Sequence, residues 1–219
     1  YWLDYDEPYV TFHNDYVESV WWILSQLADK NFLYKGHKSV PYCPRCGTGL
    51  SSHEVAQGYR DVEDPSLYFL CPWVTERGDL DPEGRNFLVW TTTPWTIPAN
   101  KALAYNKDLE YSIIKIRKPS SDFDSQTIVI ATKLLNTIIK ECEIEEYEYI
   151  KTLKGQDFEG TICSHPFKDL GYEYDVPMLE AQFVTLEQGT GFVHCAPSHG
   201  PDDFNLCLKH GIKSLDTID

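Results

Sequence analysis

Two stretches of this sequence gather side chains whose types can do chemistry. The first is Trp90-Thr91-Thr92-Thr93-Pro94-Trp95-Thr96-Ile97-Pro98-Ala99-Asn100. The apolar run Phe87-Leu88-Val89-Trp90 leads into it and reads as a short buried strand. Pro94 and Pro98 stop that strand, because each lacks an N–H and restricts the residue before it. The strand therefore ends in a rigid turn crowded with hydroxyls, suited to a small polar ligand. Threonine also favours strands, and alternate threonines can point into a core. On composition alone both readings stand.

The second stretch runs Gly189-Thr190-Gly191-Phe192-Val193-His194-Cys195-Ala196-Pro197-Ser198-His199-Gly200-Pro201-Asp202-Asp203. Its glycines and prolines shape the backbone so that a ligand can approach closely. Asp203 falls in the first turn of a predicted helix, where the positive end of the helix favours a carboxylate, and a carboxylate suits an ammonium group. Metal ligation by His194, His199 and Asp203 is disfavoured because Pro197 interrupts any helical stripe of ligands. A nucleophile at Cys195 or Ser198 is disfavoured too, since neither sits in a Gly-x-Ser-x-Gly elbow and Cys195 follows a strand that can bury it.

A third feature is Pro41-Tyr42-Cys43-Pro44-Arg45-Cys46-Gly47. A Cys-x-x-Cys turn closed by glycine aims two thiolates at one ion, and a structural zinc needs four ligands. Cys71, Cys142, Cys163, Cys195 and Cys207 are isolated and make no second pair; His37 and His53 are weak donors by position. Three readings stay open: a half-site completed outside the sequence, a local site using a nearby histidine, and a metal-free pair. No strand-then-helix context supports a redox role.

The elements that must position these residues are read from periodicity. In the first unit, residues 1–64, Asn14 to Lys30 carries apolar residues at Val17, Val20, Trp21, Ile23, Leu24 and Leu27, which predicts a core-packing helix capped by Asn14. In the second unit, residues 65–219, strands are expected at 66–70, 87–90, 111–116, 127–131, 183–186 and 192–194. Loops are expected at 75–86 and 118–125, with an acidic solvated stretch over 141–148. Helices are expected after a Thr132 cap and from Pro201 to the stop at Gly211. Short mixed strands with few helices give an α+β fold with a strongly curved or barrel-like sheet.

Bulk properties set the remaining bounds. The chain has 219 residues, 42% hydrophobic and 14% aromatic, enough for a packed core. A formal net charge of −15 argues against broad non-specific nucleic-acid binding. No apolar run spans a membrane and no leader opens the chain, so no membrane partner is expected. Seven cysteines, odd in number and mostly isolated, fit a reducing, cytoplasmic compartment. The start at Tyr1 and the single methionine fit an excised segment of something larger.

Trp90 to Asn100 closely resembles the threonine-rich motif in the editing domain of isoleucyl-tRNA synthetases. The valyl and leucyl relatives carry Thr-Thr-Arg-Pro and then an acidic residue there, so Thr93 and Trp95 point to the isoleucyl type. Gly189 to Pro197 with Asp203 resembles the second editing motif, and the Cys43–Cys46 and Ser51-Ser52-His53-Glu54-Val55 stretches resemble the segment just before the insertion. The resemblance covers essentially the whole chain. The family's two synthetic-site signatures are absent, so no aminoacylation is expected from this segment.

The resemblance implies hydrolysis of the ester in valyl-tRNA formed on isoleucine tRNA. A missing methylene, valine against isoleucine being the familiar case, is worth only about 1–3 kcal/mol, so a second, smaller pocket is needed. It further implies roles. Asp203 pairs with the ammonium group, Thr91, Thr92 and Thr93 hold substrate and position water, and His194 borders the valine side chain. Trp95, Thr96, Ser198 and His199 shape the pocket, and Asn100 orders the motif. No strong base is evident, so water positioning and oxyanion stabilisation carry the reaction, without a cofactor. Zinc at Cys43 and Cys46 belongs to the full-length parent, whose other two cysteines follow the insertion. The implied partners are the 3′ end of valyl-tRNA and the rest of the synthetase, with the segment itself monomeric. The alternatives are a zinc-knuckle binding module and an aminoacyl-tRNA-binding domain without turnover.

Overall fold

The computed structural model describes all residues except 1, 3, 5, 76–83, 119–125, 216, 218 and 219. The expected loops at 75–86 and 118–125 therefore fall largely outside the described residues. The chain divides into two compact units, residues 1–38 and residues 39–219.

In the first unit, α1 (Asn14–Asp29) forms where the apolar spacing predicts it. Its cap is His13 rather than Asn14, with no side-chain hydrogen bond to the helix end. Asn31, in the left-handed conformation at φ 58°, turns the chain out of the helix. The expectation of core packing is not met, since no residue of α1 is buried and Trp21 and Trp22 are both well exposed. A unit this short has too little chain to cover a wide apolar stripe.

The second unit opens with a hairpin. β1 (Tyr42–Cys43) pairs antiparallel with β2 (Thr48–Gly49), and Gly47, at φ +65°, makes the turn between them. α2 (Ser52–Ala56) comes next, started by a capping box. The Ser51 hydroxyl accepts the Glu54 N–H at 3.3 Å, and Glu54 Oε2 accepts the Ser51 N–H at 2.8 Å.

The core is built from β3 (Leu67–Pro72), β4 (Arg85–Thr91), β5 (Ala102–Tyr105), β6 (Glu110–Lys118), β7 (Thr127–Ala131), β8 (Glu146–Lys154), β9 (Ile162–Ser164), β10 (Asp175–Glu180) and β11 (Phe192–Cys195). Helix α3 (Leu135–Glu141) lies between β7 and β8, and α4 (Pro201–Lys209) follows β11. One sheet has the order β3-β4-β7-β6-β8 and the other β11-β5-β10-β9. Both are mixed: β4 runs parallel to β7 and β10 parallel to β5, while the other pairings are antiparallel. Among the described residues neither sheet closes on itself. The α+β class therefore holds, and the barrel does not.

The larger of two apolar clusters among the described residues is shared by both sheets. Phe87 from β4, Tyr111 from β6 and Phe192 from β11 meet Phe158 and Trp73, with ring centroids 4.7–6.0 Å apart. Such rings bury large areas in edge-on or offset arrangements. With faces covered on both sides, β4 reads as a continuous apolar run rather than an alternating one.

Two local expectations need correction, one is refined, and one strand was not expected. Residues 183–186 are not a strand, because the chain leaves β10 at Glu180 and reaches β11 by a loop. Thr132 does not cap a helix; its hydroxyl bonds Ser112 at 2.9 Å, and a short 3-10 turn precedes α3. The acidic stretch at 141–148 ends inside β8, whose outer position lets charged residues stay solvated. β5, unforeseen from sequence, is the strand from which the site is placed.

Candidate functional site

Register explains why the two polar stretches meet. β5 pairs antiparallel with β11, placing Ala102 opposite Cys195 and Leu103 opposite His194. The residues just before β5 therefore lie beside those just after β11, and the Lys101 N–H donates to the Cys195 carbonyl at 2.9 Å. β11 also lies against β4, whose last residue is Thr91. A cleft of about 590 Å³ opens where these ends converge.

The threonine stretch is compact. Pro94–Ala99 forms a 3-10 helix, with proline tolerated at its first position. Thr91 Oγ1 accepts the Thr93 N–H at 3.1 Å and lies 3.2 Å from Thr93 Oγ1. Thr93 Oγ1 lies 3.3 Å from Thr96 Oγ1, which is 2.8 Å from both the Thr93 carbonyl and His194 Nε2. The other ring nitrogen of His194, Nδ1, lies 2.8 Å from Asn100 Oδ1. With Asn100 Oδ1 assigned to face the ring, Nδ1 donates to it and Nε2 is left as an acceptor. The Thr96 hydroxyl thus has one proton for two acceptors, and the Thr93 hydroxyl can donate to it in turn. Thr91, Thr93, Thr96, His194 and Asn100 form one continuous chain of hydrogen bonds.

Burial sets the charge state of that chain. His194 is 7% exposed, and loss of hydration drives its pKa down to about 4, with His165 and His199 adding smaller pushes the same way. The ring is neutral near pH 7. Asn100 is fully buried, and its amide nitrogen has no hydrogen-bond partner among the described residues. An unpaired buried donor beside a cleft is a feature that a functional constraint can retain.

Asp203 forms the facing wall from the first turn of α4. Its Oδ2 accepts the Ala196 N–H at 2.9 Å, which fixes the side chain. Burial raises its pKa first, the Asp202 charge adds to this, and the Ala196 N–H lowers it in part, so the opposition to ionisation comes mainly from lost water. A cation in the cleft would remove that opposition. Gly191, at φ +87°, closes the third side, where a Cβ would come within 2.4 Å of Ala131 Cβ. Only glycine fits there.

Of the residues singled out from sequence, Thr91, Thr92, Thr93, Trp95, Thr96, His194, His199 and Asp203 line the cleft. Asn100 stands behind His194. Ser198 does not line it, because its hydroxyl is bound to the backbone of Leu215, accepting the N–H at 3.0 Å and donating to the carbonyl. Cys195 is buried and its thiol pKa is pushed well up by burial, so no thiolate is available there. Sequence reasoning missed Trp90, Phe183, Thr185 and Gln188, which also line the cleft. The loop through 183–188 carries no periodicity that would mark it as a wall.

The Cys43–Cys46 turn joins the two short strands β1 and β2. The Cys46 N–H points at Cys43 Sγ across 3.4 Å, and hydrogen bonds from Cys46 hold the Cys43 thiol pKa below its ordinary value. The same pairing raises the Cys46 thiol pKa, so the two sulfurs share one negative charge, and by type they match half of a tetrahedral zinc set. No group of three or more possible metal ligands stands together among the described residues.

The family model described as tRNA synthetases class I (I, L, M and V) matches residues 1–189. The chain is 49% identical over 216 residues to the isoleucine–tRNA ligase of Pelagibacter ubique, covering 99% of the chain and 23% of that relative. It is 43% identical over 229 residues to the isoleucine–tRNA ligase of Clostridium tetani, covering 100% of the chain and 20% of that relative. The chain thus spans about a fifth of the length of these curated relatives. Among solved structures, the editing domain of the P. knowlesi cytosolic leucyl-tRNA synthetase aligns with a TM-score of 0.49 and 12% identity, over 69% of each chain. The resemblance to isoleucyl-tRNA synthetases agrees with the two curated relatives.

Proposed function

The chain belongs to the class I tRNA synthetase family, and from that premise we propose that it is the editing segment of an isoleucyl enzyme, hydrolysing valine from mischarged isoleucine tRNA. The observation that carries the reading is the cleft in which the threonine turn and the His194–Asp203 loop meet. Its volume of about 590 Å³ falls within the usual range for ligand sites. A valine side chain fills a small part of it, leaving the remainder for the ribose and base of a terminal adenosine.

Roles come from the groups present. Asp203 holds the α-ammonium, since a partly buried carboxylate gains most from a cation. Thr91, Thr92 and Thr93 supply hydroxyls and backbone groups that place a water against the ester carbonyl. The water oxygen adds to the carbonyl carbon, the bond to the ribose oxygen breaks, and that oxygen takes up a proton. His194 is neutral with both nitrogens engaged, so it serves as a wall and a fixed dipole rather than as a base. Trp95, 62% exposed at the rim, offers a face for the adenine. Residues 1–64 are the connection to the catalytic body, and the Cys43–Cys46 knuckle joins a zinc site completed beyond them. Such an enzyme works in the cytoplasm.

The test is to incubate the full chain with valyl- and isoleucyl-tRNA of the isoleucine type. Faster release of valine is expected. Equal release of both at the uncatalysed rate would overturn the reading.

A further inference from the structure

A cluster of rings and one cation grips the threonine turn by its carbonyls, and none of its members lines the cleft. His165, directly after β9, is 1% exposed. Its Nε2 stands 3.0 Å from the Ile97 carbonyl, which only accepts, so Nε2 carries the proton. Nδ1 is then a lone pair, and it accepts the Phe167 N–H at 3.0 Å. Both nitrogens are used. The ring lies flat on Tyr172, with centroids 4.7 Å apart and planes at 14°, and is tilted against Tyr174 at 5.1 Å. Burial keeps the imidazole pKa low, in keeping with a neutral, fully bonded ring.

Tyr174 holds the next part of the turn. Its hydroxyl donates to the Asn100 carbonyl at 2.9 Å, with the Pro98 carbonyl at 3.4 Å, and Lys101 Nζ sits 3.5 Å above its ring. The turn needs such partners. The Ile97 carbonyl already accepts the Asn100 N–H at 3.0 Å, so His165 gives it a second bond, and Pro98 contributes no N–H of its own to hold the turn. Ile97 and Asn100 are therefore held from the 165–174 connection, which enters the site nowhere else.

The positions of those carbonyls matter because Thr96 and Asn100 are the two residues whose side chains bracket His194. Ile97 follows Thr96 directly. A shift in either carbonyl moves one of the two hydrogen-bond partners of the His194 ring. We propose that His165 and Tyr174 are positioning residues of the cleft, holding Thr96 and Asn100 in place through the backbone and thereby fixing which nitrogen of His194 carries the proton. The catalytic consequence rests on the hydrolytic reading above; the tautomer consequence does not.

The experiment is ¹⁵N imidazole spectroscopy of His194 in the full chain, near pH 7, alongside hydrolysis of valyl-tRNA. The native chain should show His194 as a single tautomer, with Nδ1 protonated when the Asn100 oxygen faces the ring. Tyr174→Phe, which removes one oxygen, and His165→Leu should each shift His194 towards a mixture of tautomers. Each should also lower kcat about tenfold with KM within twofold. His165→Gln, whose amide N–H can still reach the Ile97 carbonyl, should restore the native pattern. An unchanged His194 pattern in Tyr174→Phe overturns the proposal, and this holds even where His165→Leu fails to fold. A shifted pattern with kcat unchanged in an active chain also overturns it. A shifted pattern in a chain that never hydrolyses valyl-tRNA supports the positioning role and sinks the hydrolytic reading instead.

Discussion

The Cys43–Cys46 knuckle and the threonine cleft belong to the same compact unit but are held together in opposite ways. Every side-chain bond described in the knuckle and in the α2 cap spans four residues or fewer. The cleft is closed by bonds between residues far apart in sequence, Thr96 to His194 and Asn100 to His194 among them. The knuckle is exposed, whereas the bonded core of the cleft is buried. Local bonds need only the right neighbours in sequence. Long-range bonds need a sheet to deliver both partners. The cleft should therefore respond to changes in the core, and the knuckle should not.

The largest effect expected is at Gly191. Gly191→Ala combines a left-handed backbone, which costs about 1–2 kcal/mol for a residue with a Cβ, with a clash against Ala131 that costs about 1–3 kcal/mol more. Thermal unfolding should show a loss of about 3 kcal/mol, with the knuckle's thiol chemistry unaltered before the transition. Unaltered stability would mean that the third side of the cleft is not as rigid as its geometry implies.

Next comes Asp203. Asp203→Ala should weaken a non-hydrolysable valyl-adenosine mimic about 100-fold, since removing one member of a buried charge pair costs about 2–5 kcal/mol. Calorimetry measures this directly. Equal affinity in the variant would show that the ammonium lies elsewhere.

The pH response of the cleft comes third. His194 has a folded pKa near 4 against an ordinary 6.5. The unfolded chain therefore binds more protons between those values, and stability falls as the pH drops from about 6.5 to 4. This contribution is fully present above about pH 6.5, and the loss should be on the order of 2 kcal/mol. Denaturant titrations at pH 7 and pH 4.5 should show it, and His194→Asn should flatten it. A profile with the same slope in the variant would assign the acid sensitivity to another group.

The smallest effect belongs to the knuckle side. Ser51→Ala removes the cap of α2 at a cost of about 1 kcal/mol to that helix. Amide exchange should quicken at 52–56 while Thr96 and His194 keep their protection. Loosening that spread into the cleft would erase the contrast between the two regions.

Much of the fold was legible because its signals are local. The apolar run into Thr91, the strands at 111–116 and 127–131, and the Pro201–Gly211 helix all declare themselves by spacing and by breakers. The Ser51–Glu54 capping box was equally local and still went unread as a helix start. Residues 183–186 misled because a run of apolar and β-branched residues looks the same on a strand as on a cleft-lining loop. Ala102–Tyr105 escaped notice because a short run with two alanines carries little β signal, although its central place makes it the hinge of the site. α1 was legible as a helix, but its cover was not.

By itself the sequence determined which groups are present: hydroxyls bracketed by prolines, a carboxylate at a helix start, two thiols on a tight turn, and glycine where no side chain fits. Backbone stereochemistry and short-range hydrogen bonding decide such features within a few residues. The tertiary structure decided which of those groups meet. The pairing of β5 with β11 set Asn100 beside His194, the chain returning after α4 attached Ser198 to Leu215, and the pairing of β9 with β10 placed His165 behind the turn it supports. Sheet register is settled by the burial of a whole core, and no single stretch of sequence contains that information.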